Sequence, residues 1–447
     1  MVAIDHLRII TGKEIQVAIS SKAQIERAIE IFYSAKDSIK EVLDDIGIRP
    51  QKESAYVNLD EENSAPIVKL VNTVLFRAIS EGASDIHIEP YEKDVLVRYR
   101  IDGELFEIIR WPKELLESVI TRIKIMAGMD IAQKRVAQDG HFDFSVNGRP
   151  YDIRVSTMPT IRGEKLVLRI FNHQRMTLDL KYLGFDNSEL ALITKMLQFP
   201  QGMILVTGPT GSGKTTTLYS MLNHLNSTSK NIVTLEDPVE YMIEGINQVQ
   251  INPKAGLTFA QALRSILRQD PDIIMVGEIR DRETAEIAVR AALTGHLVLS
   301  TLHTGDAVGS INRLLDMGVE PSLVASSLIG IVSQRLIRKI CPYCKEEYLP
   351  EVQDSIALGL GSEQKLYRGK GCNLCNKSGF SGRTVIAEVL LLTHGHRELI
   401  NKGNLTEDFT KVSKQMGFNS IRETAVKKVI EGITTPREVI NAIFSPS

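Results

Sequence analysis

The sequence predicts an α/β fold in which a doubly wound, mainly parallel sheet carries a phosphate-binding loop. The first observation is the segment Gly208–Thr215, which fills every fixed position of the P-loop pattern. It follows the apolar run Met203–Val206 and precedes a helix-like stretch, Thr216–Asn226, so the motif has its strand–turn–helix setting. The second observation is that strands alternate with helices. The strands are expected at 203–207, 231–235, 272–277 and 297–301.

The P-loop predicts nucleotide binding. Its glycines let consecutive backbone N–H groups point into one concavity at the positive end of a helix dipole. There Lys214 can reach the β- and γ-phosphates, and the Thr215 hydroxyl can bind Mg²⁺. The nucleotide-binding residues expected from the loop are Gly208, Pro209, Thr210, Gly211, Ser212, Gly213, Lys214, Thr215 and Thr216.

An α+β domain is expected before this core, at residues 66–175. Pro66 can open a helix, and the pattern then changes to short alternating strands. The predicted elements are strands at 85–90, 95–101, 151–157 and 165–170, with a helix from about 112 to 128. Residues 1–48 are expected to be the end of a small domain. The stretch 49–65, rich in Glu, Asp, Asn and Ser, is expected to be a linker.

Composition limits the possible function classes. The chain has 447 residues, enough for two to four domains, and a formal net charge of −2. That charge argues against a surface that coats nucleic acid. No apolar run approaches the length needed to span a bilayer, and the N-terminus lacks the layout of a signal peptide. A cytosolic protein is expected.

Hydrolysis needs carboxylates near the phosphates, and two strand ends provide them. Glu236, Asp237 and Glu240 follow one strand, and Glu278 follows another, where it suits the general base that orients the attacking water. Gly277 stands where a Walker B strand usually ends in aspartate, so metal support is expected from Glu236 or Asp237.

Two histidines bracket the strand at 297–301. His296 precedes it and His303 follows it. From the residues alone, each is either a phosphate sensor or a core histidine.

The four cysteines form two CxxC pairs, which are typical of a structural, tetrahedral zinc site. A redox pair and unrelated buried cysteines are the alternatives. The cysteines are Cys341, Cys344, Cys372 and Cys375. The predicted module covers 341–383 and is followed by a helical end, 384–447, within a C-terminal domain that starts at 180.

Three longer segments, Thr234–Glu240, Leu267–Asp281 and Thr294–His303, resemble the secretion-ATPase superfamily. More narrowly, they are similar to the type II secretion ATPases and the type IV pilus extension ATPases. The resemblance runs from about residue 56 to the end, and the tetracysteine module favours the narrower group.

The resemblance implies a RecA-like ATPase core, a PAS-like preceding domain and, in residues 1–48, the remnant of an N-terminal docking domain. It also implies that Gly277 is a family trait, and that His296 and His303 are nucleotide-site residues. Segments 152–159 and 162–169 match those from which family members present arginines to ATP. Arg154 and Arg169 are therefore the expected arginine fingers, the alternative being two ordinary strand arginines.

The function implied is a hexameric ATPase with ATP, Mg²⁺ and Zn²⁺, powering assembly of a pilin-like filament at the bacterial inner membrane. Its expected partners are an inner-membrane platform protein and a cytoplasmic docking protein, with peripheral membrane association and no direct contact with nucleic acid. A secretion pseudopilus and a type IV pilus remain equal alternatives as the load. A DNA-uptake or conjugation motor and a nucleotide-gated protein without turnover are the other classes left open.

Overall fold

In the computed structural model, the chain divides into two compact units, residues 1–174 and 175–447. The structure describes residues 64–171, 178–350, 358–360, 364–403, 407–415 and 417–444, with five isolated positions before residue 26. The predicted docking remnant at 1–48 and nearly all of the linker at 49–65 lie outside these residues.

In the part of the first unit that the structure describes, an antiparallel sheet of six strands is accompanied by two α-helices. Its elements are α1 (Ser64–Ser80), β1 (Asp85–Pro90), β2 (Asp94–Ile101), β3 (Glu104–Pro112), α2 (Leu116–Met126), β4 (Gln138–Val146), β5 (Arg149–Thr160) and β6 (Gly163–Phe171). The strand order is β3-β2-β1-β6-β5-β4. The predicted helix and the four predicted strands are confirmed.

Alternation along the strands gives this sheet one apolar face and one charged face. Ile86, Ile88 and Ile153 are fully buried in a core shared with both helices. The buried Tyr99 donates its hydroxyl to the carbonyl of Val74, at 2.7 Å, and so ties β2 to α1.

The second unit contains a seven-stranded mixed sheet in the order β15-β12-β7-β11-β10-β8-β9. Its strands are β7 (Gly202–Thr207), β8 (Ile232–Glu236), β9 (Asn247–Gln250), β10 (Ile273–Val276), β11 (Leu297–Leu302), β12 (Leu328–Ile340) and β15 (Phe380–Leu391). A two-stranded sheet is formed by β13 (Lys345–Tyr348) and β14 (Leu366–Gly369). All pairings in the larger sheet are parallel except that of β12 with β15.

Helices accompany these strands along the chain. They are α3 (Asn187–Leu197), α4 (Lys214–Leu225), α5 (Phe259–Ile266), α6 (Arg282–Leu293), α7 (Ala307–Asp316), α8 (Pro321–Ser327), α9 (His394–Asn401), α10 (Glu407–Gln415), α11 (Ile421–Ile430) and α12 (Pro436–Phe444). Two apolar clusters are built around the larger sheet. Among the described residues, no helix combines the length and the apolar character needed to cross a bilayer.

The four strands predicted in this unit are confirmed as β7, β8, β10 and β11, but the helical end is shorter than expected. Residues 384–391, which the sequence interpretation assigned to helices, complete β15 instead. Their β-branched and apolar side chains, with Val385, Ile386 and Val389 buried, suit a strand, and β15 pairs with β12 at one side of the sheet. The fold class is thus α/β with a mixed sheet.

Candidate nucleotide site

Strands β7, β11, β10 and β8 run parallel, so the four chain segments at their carboxyl-terminal ends lie along the same edge of the sheet, across the strand ends. The P-loop starts at Gly208, directly after β7, and His303 comes directly after β11. Glu278 follows β10, and Glu236 is the last residue of β8. Because the carboxyl ends of parallel strands point to the same edge, these segments face one crevice, where ligands bind in such sheets.

The P-loop needs its glycines for conformation and for space. Gly211 and Gly213 have φ angles of 79° and 87°, in the left-handed region, and Gly213 is the residue before α4. Gly208 has φ 143°, and a Cβ atom there would lie 2.2 Å from the carbonyl oxygen of Gln334 on β12. The loop therefore lies directly against β12.

Lys214 is the first residue of α4, and its side chain folds back over the P-loop. Its Nζ donates hydrogen bonds to the carbonyls of Gly208, at 2.8 Å, and Pro209, at 3.1 Å. Burial lowers the pKa of this ammonium below its ordinary value, and the nearby negative charge of Glu278 offsets only part of that shift. Thr215, at the first turn of α4, is exposed, so its hydroxyl is accessible to a metal ion.

Glu278 and His303 come together as a pair. His303 Nε2 lies 3.5 Å from Glu278 Oε2, and the other carboxylate oxygen pairs with Arg280 Nη2 at 2.5 Å. The Glu278 side chain is only 14% exposed, whereas that of His303 is 52% exposed. A largely buried carboxylate held between two basic groups, near Lys214, has the geometry of a group that orients water.

The three carboxylates after β8 have different surroundings. Glu236 is buried, and its oxygens accept hydrogen bonds from the hydroxyls of Thr234, at 2.6 Å, and Tyr219, and from Gln248 Nε2, at 3.1 Å. Asp237 is exposed. Glu240 is partly buried, and its backbone N–H donates to the Tyr219 hydroxyl at 3.3 Å. Asp237 is thus the accessible carboxylate at this strand end.

His296 is not brought to this edge. It precedes β11, and its carbonyl accepts a hydrogen bond from Gly202 N, at the start of β7, at 3.0 Å. Its Nδ1 contacts the carbonyl of Ala291 at 3.0 Å. His296 directly precedes and His303 directly follows the six residues of β11. Since a strand rises about 3.3 Å per residue, the two histidines lie at opposite ends of the strand, about 23 Å apart.

Arg154 and Arg169 belong to the first unit, where they are direct cross-strand neighbours on β5 and β6. Arg169 Nε lies 3.0 Å from Asp85 Oδ1, and the Arg169 side chain is still 64% exposed. Arg154 Nε lies 3.4 Å from Asp152 Oδ2, and its guanidinium carbon is 4.2 Å from the Phe171 ring centroid. The sheet therefore presents two adjacent guanidinium groups beside aspartates.

The sequence interpretation missed two polar residues that support the site. Tyr219, on α4, holds Glu236, and Gln334, on β12, contacts the P-loop. Gln334 is fully buried. The available signal for Gln334 was its place just beyond the apolar run Leu328–Val332, since a buried polar side chain needs a partner.

The four cysteines form a cluster in which the Sγ atoms all lie within 4.8 Å of one another. Cys341 and Cys372 are 3.9 Å apart, as are Cys344 and Cys375, and the Sγ atoms of Cys372 and Cys375 are 3.7 Å apart. A tetrahedron with metal–sulfur bonds of about 2.3 Å has edges of about 3.8 Å, so the residues fit a tetrahedral ion.

The thiols of this cluster differ in acidity. Burial raises the pKa of the Cys344 thiol to about 12. Burial also acts to raise the pKa of Cys375, but the backbone N–H groups of Cys372 and Gly379 outweigh it and lower that pKa to about 7. Cys375 is thus the thiol most ready to become a thiolate, the form that binds a metal.

Comparisons with known proteins agree with these features. The family described as Type II/IV secretion system protein matches residues 60–441. The chain is 47% identical to Type IV pilus assembly ATPase PilB of Myxococcus xanthus over 452 residues, covering 98% of this chain and 80% of that one. It is 49% identical to Type II secretion system protein E of Pseudomonas aeruginosa over 384 residues, covering 86% and 76%. The solved structure of the pilus retraction motor PilT with bound ADP gives a TM-score of 0.57 at 28% identity, covering 84% of this chain and 97% of that one.

Proposed function

Because the chain belongs to the Type II/IV secretion system protein family, we propose that it is the motor that assembles a pilin-like filament at a bacterial inner membrane. The chain is an ATPase of this family. The filament is a type II secretion pseudopilus or a type IV pilus, since relatives with both names match at similar identity.

The observation that carries this proposal is the approach of Glu278 and His303 beside the P-loop lysine. The loop N–H groups and Lys214 bind the β- and γ-phosphates. Glu278 orients the attacking water, and His303 links that carboxylate to the state of the γ-phosphate. This arrangement supplies both binding and hydrolysis at one edge of the sheet.

A magnesium ion fits the accessible oxygen donors at this edge. Thr215 offers its exposed hydroxyl, and Asp237 offers an exposed carboxylate. Glu236 is already held by internal donors, so its part is to fix β8 and α4 together through Tyr219. When bound, the ion neutralises charge that develops on the phosphates.

Arg154 and Arg169 complete the site as arginine fingers. Their planar guanidinium groups match phosphate oxygens and stabilise transition-state charge. In this proposal the protein is a hexamer, and the first unit of one subunit presents the two arginines to the nucleotide of the next. Mixing Arg154→Ala subunits with Lys214→Ala subunits tests this directly. Recovery of ATPase activity in the mixture, with neither variant active alone, is the expected result, and an inactive mixture would contradict it.

The remaining assignments extend the same proposal. The four cysteines bind Zn²⁺, which supplies a structural crosslink with no open coordination position. The first unit, with domain limits at 66–175, is a PAS-like domain, and the ATPase domain starts at residue 180. The motor works on the cytoplasmic face of the membrane through a platform protein and a docking protein.

A Glu278→Gln variant tests the hydrolytic assignment. The amide keeps the size of the side chain but cannot act as a base, so magnesium-dependent phosphate release should fall by about 10²-fold or more. ATP binding should persist, because the P-loop is unchanged. Phosphate release equal to that of the parent would remove Glu278 from the mechanism and favour a nucleotide-gated protein without turnover.

A further inference from the structure

A buried glutamine on the neighbouring strand is hydrogen-bonded to the P-loop. Gln334 lies on β12, one residue beyond the pairing of Ser333 with Thr207 at the end of β7. Its Nε2 donates to the carbonyl of Ser212 at 2.7 Å, and its Oε1 accepts from the hydroxyl of Thr217 at 2.8 Å. Gln334 and Thr217 are both at most 1% exposed. Because both side chains are shielded from solvent, water cannot replace the hydrogen bonds by which Gln334 links Ser212 to Thr217.

The orientation of this amide follows from the chemistry of its partners. The Ser212 carbonyl can only accept a hydrogen bond, so the amide must turn Nε2 towards it. Oε1 then faces Thr217, whose hydroxyl can donate. The Ser212 carbonyl thus selects the orientation of the amide, and the Thr217 hydroxyl on α4 satisfies its other end.

Holding the Ser212 carbonyl also fixes the next N–H group. In a trans peptide, the C=O of Ser212 and the N–H of Gly213 point in opposite directions. With the carbonyl drawn towards β12, the Gly213 N–H points away from β12. Gly213 has a left-handed backbone and is the residue before α4, where N–H groups bind anions.

We infer that Gln334 is a positioning residue for nucleotide binding, which orients the Ser212–Gly213 peptide so that its N–H group faces the phosphates. It acts through the peptide and does not touch the nucleotide. The inference rests on the proposed nucleotide site, and Gly208 supports it, because its backbone already packs against the carbonyl of Gln334.

Two substitutions separate this role from simple packing. Gln334→Met keeps the volume but removes the donor, leaving the Ser212 carbonyl without a partner. The dissociation constant for ADP should rise by about tenfold or more, at every pH tested. Gln334→Glu restores a donor only when the new carboxyl is protonated, a state that burial favours.

The ratio of the ADP dissociation constants, Gln334→Glu over parent, should therefore rise with pH. At pH 6 the protonated carboxyl can donate to Ser212, so the ratio approaches one. At pH 8 the carboxylate faces the carbonyl, and the ratio should be about tenfold or more. Gln261→Glu is the matched control, because it makes the same change on an exposed glutamine of α5, and its ratio should stay near one.

Fluorescent ADP titration of the full chain measures all these constants, and circular dichroism checks folding. If the parent fails to bind ADP, the nucleotide site itself is wrong. If the parent binds but Gln334→Met binds equally well, or the Gln334→Glu ratio is independent of pH, the positioning role is refuted. Thr217→Val provides a second test if the Gln334 variants do not fold. It should weaken ADP binding a few-fold, and unchanged binding would refute the inference.

Discussion

A substitution of the buried Glu236 can show whether its carboxylate stabilises the fold or binds the metal ion. Its oxygens accept from Thr234, Gln248 and Tyr219, and the Tyr219 hydroxyl also accepts from the backbone of Glu240. In Glu236→Gln, the new amide can keep Oε1 towards Thr234 and Gln248, but its NH₂ group then faces Tyr219. The tyrosine hydroxyl must turn to accept, and its own proton loses the Glu236 oxygen as acceptor.

The variant thus loses at least one hydrogen bond to a charged group, which contributes about 1.5–3 kcal/mol. For a domain of about 150–250 residues, this corresponds to a decrease in Tm of roughly 3–12 °C. Tyr219→Phe should also destabilise the protein, and the double variant should be less destabilised than the sum, by about 1 kcal/mol. Affinity for magnesium and ATP should stay within about threefold in the folded variant, because Asp237 remains accessible.

Calorimetry and nucleotide titration, with Asp237→Asn as the matched control, check this. Asp237→Asn should weaken magnesium-dependent binding without a change in Tm. The reasoning is refuted if Glu236→Gln keeps the parent's Tm and loses magnesium-dependent binding, since Glu236 would then be a metal-site residue.

Three further predictions concern stability, metal and catalysis. Burial raises the pKa of Glu189, next to the N-cap of α3, to about 7. Since this exceeds its ordinary value, its contribution to stability is present below about pH 4.5 and is lost as pH rises through about 7. Glu189→Gln should therefore raise the unfolding free energy at pH 8 by about 1–3 kcal/mol and change it little at pH 5, as urea titrations will show; a gain at pH 5 alone would contradict this. Chelation or the substitution Cys372→Ser should remove one zinc ion per chain, measured by atomic absorption, and should lower the Tm. An unchanged Tm would contradict a structural role for the zinc site. His303→Ala should lower kcat at least tenfold, whereas His296→Ala should leave ATP affinity within about twofold. Steady-state assays in which His303→Ala keeps the parent's kcat and His296→Ala binds ATP more weakly would contradict the placement of the two histidines.

Sequence was sufficient where the geometry is local or follows from parallel pairing. The P-loop pattern predicts a glycine turn between a strand and a helix, and the structure has it, with Gly211 and Gly213 in the left-handed region. Glu278 and His303 follow two strands, so their approach follows from the rule that parallel strands end at one edge. The same rule, applied to the length of β11, would have placed His296 at the other edge.

Sequence was insufficient where long-range partners decide the role of a residue. Glu236 and Asp237 are adjacent carboxylates, and only the contact of Glu236 with Tyr219 on α4 distinguishes them. β12 was missed because a buried run of apolar residues does not distinguish strand from helix, and its partner β15 begins only after the second CxxC pair. Gln334 therefore had no visible partner in the sequence.

The most direct test of the central claim is a structure with magnesium and a nonhydrolysable ATP analogue. We expect the β- and γ-phosphates in the concavity of residues 208–215, with Lys214 Nζ on the phosphates in place of the Gly208 and Pro209 carbonyls. The γ-phosphate should lie within one water molecule of Glu278. An analogue bound elsewhere, or a γ-phosphate remote from both Glu278 and His303, would contradict the account.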